Sequence, residues 1–232
     1  MSFNSSGNRF QQTTPIVLNL IIINVLVFLA QMVISGNQSI DAATDLFALH
    51  HYKSSYFQPY QLVTHMFMHG GFFHLLFNMF ALWMFGSMVE RVWGPKKFLI
   101  FYFICGLGAA FFQMGSYIHD FWAIDHSLLS NEVHEQYQQI LRLNATVGAS
   151  GAIMGVLAAF GYLFPNTELI IFPIPIPIKA KWAITGMIAL DVFGGVVKVQ
   201  GDNIAHFAHI GGALIGFLLV LYWNKTDKKT FY

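Results

Sequence analysis

Charge is what this sequence holds least of. Asp, Glu, Lys and Arg make up 10% of its 232 residues and hydrophobic residues 56%, where soluble domains carry about 25% charge. So little charge cannot clothe a water-exposed surface, and the composition is that of a membrane protein. The charges present nearly cancel, to a net +1, which excludes both the basic field of a nucleic-acid binder and an acidic tail. Cysteine is almost missing. Cys105 stands alone in an apolar run, so no intrachain disulfide can form and cysteine usage says nothing of redox compartment. Internal repeats, low-complexity tracts and a second domain are not evident either, which assigns all recognisable chemistry to one membrane bundle and its loops.

What the chain has in quantity is apolar length. A helix needs about 20 apolar residues to cross a roughly 30 Å hydrocarbon core, and six runs approach this: 15–34, 70–89, 98–118, 148–164, 181–200 and 204–223. They predict an all-α polytopic membrane protein with a six-helix bundle over 15–223. A short cytoplasmic segment, 1–14, precedes it and a cytoplasmic tail, 224–232, follows. Only Arg9 comes before the first run, which is too long for a signal peptide's apolar core and reads as a retained span.

Orientation follows from the cations. With the N-terminus in the cytoplasm, Arg9, Arg91, Lys96, Lys97, Lys179, Lys181, Lys225, Lys228 and Lys229 fall on the inner side, and Lys53, Arg142 and Lys198 outside. The positive-inside rule then places both termini in the cytoplasm, and the expected location is a bacterial cytoplasmic membrane. Segments 35–69 and 119–147 become large external loops. The stretch FPIPIPIKAK cannot be helical, because its alternating prolines remove donors and fix φ, so it is predicted to be an extended inner connection.

The stretch NATVGASGAIMG, residues 144–155, opens the fourth run with a serine between glycines. Ser150 falls in the first turn of a helix, at its outer end, where backbone N–H groups lack partners and can stabilise a developing negative charge. Gly148 and Gly151 admit close backbone approach, and Gly151 with Gly155 forms a small-xxx-small face for tight packing in lipid. The plainer reading makes Ser150 a helix cap and the glycines packing alone.

A serine hydroxyl becomes a nucleophile only when a base takes its proton. The sixth run, NIAHFAHIGGALIGFLL, carries His206 and His209 near its outer end, and Gly212 and Gly216 repeat the four-residue spacing. Packing of the two glycine faces would bring a histidine to the depth of Ser150. Three apart, the histidines share one face, and spacing alone does not choose between them. His209, three residues before Gly212, is the better aligned. The competing reading leaves both at the headgroup interface.

A third group lies in HMFMHGGFFHLLFNMF. His74 and Asn78, four apart, share a helical face. Both can donate hydrogen bonds, and with the Ser150 N–H they could form an oxyanion hole. His65, His69 and His74 also form an H-x3-H-x4-H array, but neither HExxH nor an accompanying carboxylate or cysteine supports a metal site.

Together these residues give the chain its resemblance to the rhomboid intramembrane serine proteases. GASG (148–151) matches the family's GxSG, AHIGG (208–212) its AHxxG, HLLFN (74–78) its HxxxN and ERVWG (90–94) its ExxxG, in order and on the expected helices, over about residues 15–223. The resemblance implies Ser150 as nucleophile, His209 as its base, and His74, Asn78 and the Ser150 amide as the oxyanion site. It implies a dyad, in keeping with the lack of any Asp or Glu expected near His209. Two departures stand out. Met154 replaces the tyrosine that stacks on the catalytic histidine in many bacterial relatives, and its thioether would pack against the imidazole with less orienting force. The first external loop offers Phe57, Tyr60 and Gln61 where several relatives carry a Trp-Arg pair.

The expected activity is endopeptidase cleavage of single-span membrane proteins near the outer face through an acyl-enzyme. The partners would be transmembrane substrates and membrane lipid, with no nucleic acid, metal or other cofactor. Substrate would approach past the fifth span and unwind, since helical amides are shielded. Asp191, the one acid well inside a predicted span, reads as a gating element beside a helix-bending Gly194–Gly195 pair or as a group near water at the end of a short span. Glu90 and Arg91 read as an ion pair or an anchor for the adjoining loop. The rival classes are a transporter, which would be expected to show interrupted helices and midplane charges, and a catalytically inactive rhomboid-like chaperone or binding protein, which should lack the serine or the histidine.

Overall fold

A computed structural model of the chain describes residues 14–35, 42–125, 131–171, 174–197 and 204–226. Arg9, Lys198, Lys228 and Lys229, with most of the expected terminal segments 1–14 and 224–232, lie outside these residues. The fold is an all-α polytopic bundle. Its helices are α1 (Pro15–Ser35), the short α2 (Ala42–Phe47) and α3 (Gln61–Thr64), α4 (Phe72–Ala81), α5 (Ser87–Trp93), α6 (Pro95–Asp125), α7 (Asn131–Leu143), α8 (Ser150–Leu163), α9 (Ala180–Val197) and α10 (His206–Thr226). A π-helical turn, Leu82–Gly86, joins α4 to α5.

Among the described residues five helices are long and apolar enough to cross a membrane: Pro15–Ile34, Phe72–Trp93, Pro95–His119, Ala180–Val197 and His206–Lys225. The fourth expected span is the exception. Its 14 residues form α8, which at 1.5 Å per residue reaches about 21 Å, short of a roughly 30 Å core. Instead of facing lipid, α8 lies against α6, α9, α10 and the π turn, and every residue from Gly151 to Phe160 is buried. A helix enclosed by protein has no need to match the bilayer. The other helices turn apolar side chains outward, among them Leu26 and Val33 of α1, Phe73 and Phe77 of α4, and Leu190 and Phe193 of α9, as lipid-facing surfaces do.

Three further features go beyond the expectation or differ from it in detail. The stretch between α6 and α8, expected as an external loop, contains α7, whose Arg142 is paired with Asp45 of α2, Nε to Oδ1 2.8 Å, and lies over the Tyr56 ring. The proline ladder is extended as predicted, but it also pairs, as β2 (Ile174–Lys179) against β1 (Glu168–Ile171) in an antiparallel hairpin. Glu90 anchors a helix rather than the adjoining loop. Its two carboxylate oxygens accept hydrogen bonds from Ile16 N–H (3.0 Å) and Val17 N–H (2.8 Å). These are free donors of the first turn of α1, which opens with proline. Gly94 ends α5 at φ +78°, a conformation that favours glycine.

Candidate active site

The loop before α8 is laced on both sides before Ser150 is reached. Thr146 and Leu49 exchange two backbone hydrogen bonds, each 2.9 Å, and Gly148 N–H donates to the His65 carbonyl at 2.9 Å. The segment between α1 and α4 that supplies these partners is itself tied together by Gln61. Its buried amide donates to the carbonyls of Asp45, Leu46 and Tyr56 and its oxygen accepts from Gln58 N–H and His50 N–H. Gln31 of α1 then holds His69 by its main chain, donating to its carbonyl and accepting from its N–H. The loop is therefore a fixed wall beside the start of α8.

Ser150 is the first residue of α8, and the cap position is Ala149, with no side-chain capping bond. The hydroxyl does not cap the helix. It lies 2.8 Å from His209 Nε2 of α10. The Ser150 N–H opens the helix and so has no intrahelical acceptor.

Glycine contacts set this approach of α8 to α10. A Cβ at Gly151 would collide with Ala109 Cβ and stand 3.3 Å from the Ala208 carbonyl oxygen; one at Gly155 would meet Cys105 Sγ at 2.5 Å and the Gly212 carbonyl oxygen at 2.9 Å. From the other side, Gly212 would meet the Gly151 carbonyl oxygen and Gly216 would meet Gly155 Cα at 2.5 Å. Both helices are bare along the seam, so their backbones touch. Met154, one turn after Ser150, is buried in the core that α8 shares with Phe98, Phe101 and Tyr102 of α6.

Across Gly148 from Ser150 stands His74, the third residue of α4. Gly70 N–H donates to His74 Nδ1 at 3.3 Å, so a neutral ring carries its proton on Nε2. That edge faces Gly148, whose hypothetical Cβ would stand 2.9 Å from His74 Nε2 and 3.5 Å from Ser150 Oγ. Gly148 has φ +128°, so a side chain there would be both strained and in the way. Asn78 is buried, and its Nδ2 donates to the His74 carbonyl at 2.8 Å, leaving its second N–H for another acceptor. His69 meets His74 edge-on, ring centroids 5.1 Å apart. His65 turns away, its Nδ1 2.8 Å from the Gln61 carbonyl oxygen. Among the described residues no group of three or more His, Cys, Asp or Glu side chains is placed to hold a metal ion.

The expectation that no acid approaches His209 is overturned. Asp191 of α9 places Oδ1 3.0 Å from His209 Nδ1 and 2.8 Å from His206 Nδ1, with all three side chains largely buried. It is neither remote from the histidines nor simply an acid near water. The Gly pair that follows does not break α9, which is helical to Val197. Gly194 instead receives the His206 ring, whose Cε1 and Nε2 would be 2.5 Å from a Cβ there. A further fixing point missed by motif spacing is Gln113 of α6, whose Oε1 accepts from Ala208 N–H at 3.2 Å and so occupies one of the open donors in the first turn of α10.

Residues 56–225 match the family model described as Rhomboid domain. The chain is 31% identical over 219 residues to rhomboid protease AarA of Providencia stuartii, covering 92% of this chain and 74% of that protein. It is 29% identical over 171 residues to Rhomboid protein 1, mitochondrial, of Saccharomyces cerevisiae, covering 72% of this chain and 43% of the other. To presenilin-associated rhomboid-like protein A, mitochondrial, of Danio rerio the identity is 31% over 172 residues, covering 72% and 39%. The aligned region thus spans less than half the length of the two mitochondrial relatives.

Proposed function

The chain belongs to the rhomboid family, and from that premise we propose that it is an intramembrane serine endopeptidase in which Ser150 is the nucleophile and His209 its base. The observation that carries the reading is the 2.8 Å contact between Ser150 Oγ and His209 Nε2, a nucleophile within hydrogen-bond reach of a base.

The chemistry follows from the placement of the groups. His209 Nε2 takes the Ser150 proton as Oγ attacks a peptide carbonyl of a substrate helix unwound near the outer face. The charge that develops on the carbonyl oxygen meets the Ser150 N–H, His74 Nε2–H and the remaining Asn78 N–H. Collapse of the tetrahedral intermediate breaks the C–N bond, and His209 returns its proton to the leaving amine. Water, deprotonated by His209, then hydrolyses the acyl-enzyme and restores Ser150. The protein's own side chains supply every proton transfer, and no cofactor takes part. Gly148, Gly151, Gly155, Gly212 and Gly216 serve as packing positions that fix the depth of the pair, and Met154 packs beneath it.

The partners in this reading are single-span membrane proteins. Residues 15–223 act as one membrane domain, and both termini lie on the inner side of a bacterial cytoplasmic membrane. The distribution of Lys and Arg carries that orientation; the yeast and zebrafish relatives are named as mitochondrial proteins.

The test is labelling of the purified protein by a fluorophosphonate, together with cleavage of a single-span reporter, in wild type, Ser150→Ala and His209→Ala. Both signals are expected in wild type and neither in the two variants. A folded wild-type protein that neither labels nor cuts defeats the protease reading in favour of an inactive rhomboid-like chaperone or binding protein.

A further inference from the structure

A base is useful to Ser150 only in one of its two neutral forms. If the proton sits on Nε2, His209 presents an N–H to the serine oxygen and can accept nothing; if it sits on Nδ1, Nε2 is free to take the hydroxyl proton. Whatever bonds to Nδ1 therefore decides whether the pair can react.

In this chain Nδ1 faces Asp191 Oδ1 at 3.0 Å. An ionised carboxylate accepts hydrogen bonds and donates none, so the contact requires Nδ1–H. The same oxygen lies 2.8 Å from His206 Nδ1, which imposes the same tautomer on the second ring. Two histidines three residues apart on α10 thus converge on one oxygen of α9. His206 is seated against the α9 backbone where Gly194 leaves room for its ring. The carboxylate is held by His206 and aimed at His209.

We propose that Asp191 is a positioning residue for the Ser150–His209 pair, fixing the Nδ1–H tautomer and ring orientation of His209, with His206 bracing the carboxylate. This rests on the protease reading of the site and deepens it. The chain is Asp191–His209–Ser150, the three-member logic of serine hydrolases, assembled from three different membrane helices. It departs from the dyad that the sequence motifs imply. It also replaces the gating role suggested by the position of Asp191 in the fifth span. A carboxylate that served only to fasten α9 to α10 could do so through His206 alone.

The experiment uses the full chain in lipid vesicles and compares wild type, Asp191→Asn, Asp191→Ala and His206→Phe. Asparagine keeps the size of the side chain but can offer an N–H to His209 and so favour the wrong tautomer. Asp191→Asn should lower kcat by about 10²–10⁴-fold with KM unchanged, a loss confined to the transition state. His206→Phe should lower kcat less, because the carboxylate stays but loses its brace. Nitrogen NMR of histidine-labelled protein gives a readout independent of turnover: His209 should be Nδ1–H in wild type and shift toward Nε2–H in Asp191→Asn. Unchanged kcat in Asp191→Asn, a loss carried by KM alone, or an Nδ1–H signal that persists without the carboxylate each overturns the assignment. If wild type shows no turnover, the protease reading fails on its own and the tautomer alone decides the role of Asp191.

Discussion

Gly212 of α10 faces Gly151 of α8 so closely that a Cβ on Gly212 would collide with the Gly151 carbonyl oxygen. The nucleophile candidate lies one residue before Gly151 and the base candidate three residues before Gly212. The separation of Ser150 and His209 is therefore set by a backbone-to-backbone contact, which is stiffer than any contact between side chains. Gln113, fixing the first turn of α10 from α6, holds the same helix against sliding.

Gly212→Ala is the direct test of that seam. The added methyl meets backbone rather than the end of a flexible side chain, so a helix must shift, at a cost of about 1–3 kcal/mol as for other overpacked interiors. A lower melting temperature in detergent and a lower kcat should appear together. Gly115→Ala is the control, because nothing lies within 4 Å of a Cβ there; it should leave both quantities unchanged. An active, fully stable Gly212→Ala protein would show that the seam does not set the site.

His74 and Gly148 allow the oxyanion assignment to be tested from two sides. His74→Ala removes one donor and should lower kcat by about 10²–10³-fold, the range for a single oxyanion-hole donor. Gly148→Ala should reproduce much of this loss without touching the imidazole, since its Cβ would stand 2.9 Å from His74 Nε2 at a φ of +128°. Wild-type kcat in both variants would remove His74 from the oxyanion site.

What was legible in the sequence was whatever a single helix can express. Apolar length announced the membrane bundle, and the four-residue glycine spacing announced the faces on which α8 and α10 meet. Asp191 shows where that kind of reading stops. It sits 18 residues before His209, on another helix, and only the packing of α9 on α10 brings them together. Two signals were nonetheless present: a lone acid within an apolar run requires a partner, and two histidines three apart present their rings to a common point. The short α8 was hidden for a different reason. Hydropathy reports apolar surroundings and does not distinguish lipid from protein, so it did not show that the fourth run forms a helix of only 14 residues enclosed by its neighbours. The pairing of the proline ladder into a hairpin likewise depends on a partner strand that composition does not reveal.

The loop between α3 and α4 should respond to acid. Burial holds both the His65 and His69 imidazoles at about 4, far below their ordinary 6.5, with the neighbouring His74 lowering His69 further. Both rings are therefore folded in neutral form. Between pH 6.5 and 4 the unfolded chain binds protons that the folded loop refuses, so the stability present above 6.5 is lost as pH falls through that window and levels off below 4. The slope within the window is about 1.4 kcal/mol per pH unit for each group. Melting temperatures across it should fall in wild type and less steeply in His65→Gln and His69→Gln. Identical slopes in all three proteins would mean that other groups carry the acid sensitivity.

Glu90 sits at the opposite end of the bundle from Ser150, so its substitution separates stability from chemistry. Its carboxylate, 2% exposed, satisfies two main-chain donors at the start of α1, where the helix dipole also favours negative charge. Glu90→Gln keeps an acceptor but loses the charge and one of the two oxygens, and should cost about 1 kcal/mol, as a lost helix cap does. Glu90→Ala leaves both N–H groups without their acceptor and should cost more, about 1–3 kcal/mol for each donor that water cannot reach. In both variants the protein that remains folded should retain the wild-type kcat, because α8 and α10 form their seam without α1. Thermal unfolding read by tryptophan fluorescence, alongside active-site titration with a fluorophosphonate, separates the two effects. A kcat that falls in proportion to stability per titrated site would instead tie the anchoring of α1 to the geometry of Ser150, through the Gln31 contacts that join α1 to the loop at His69.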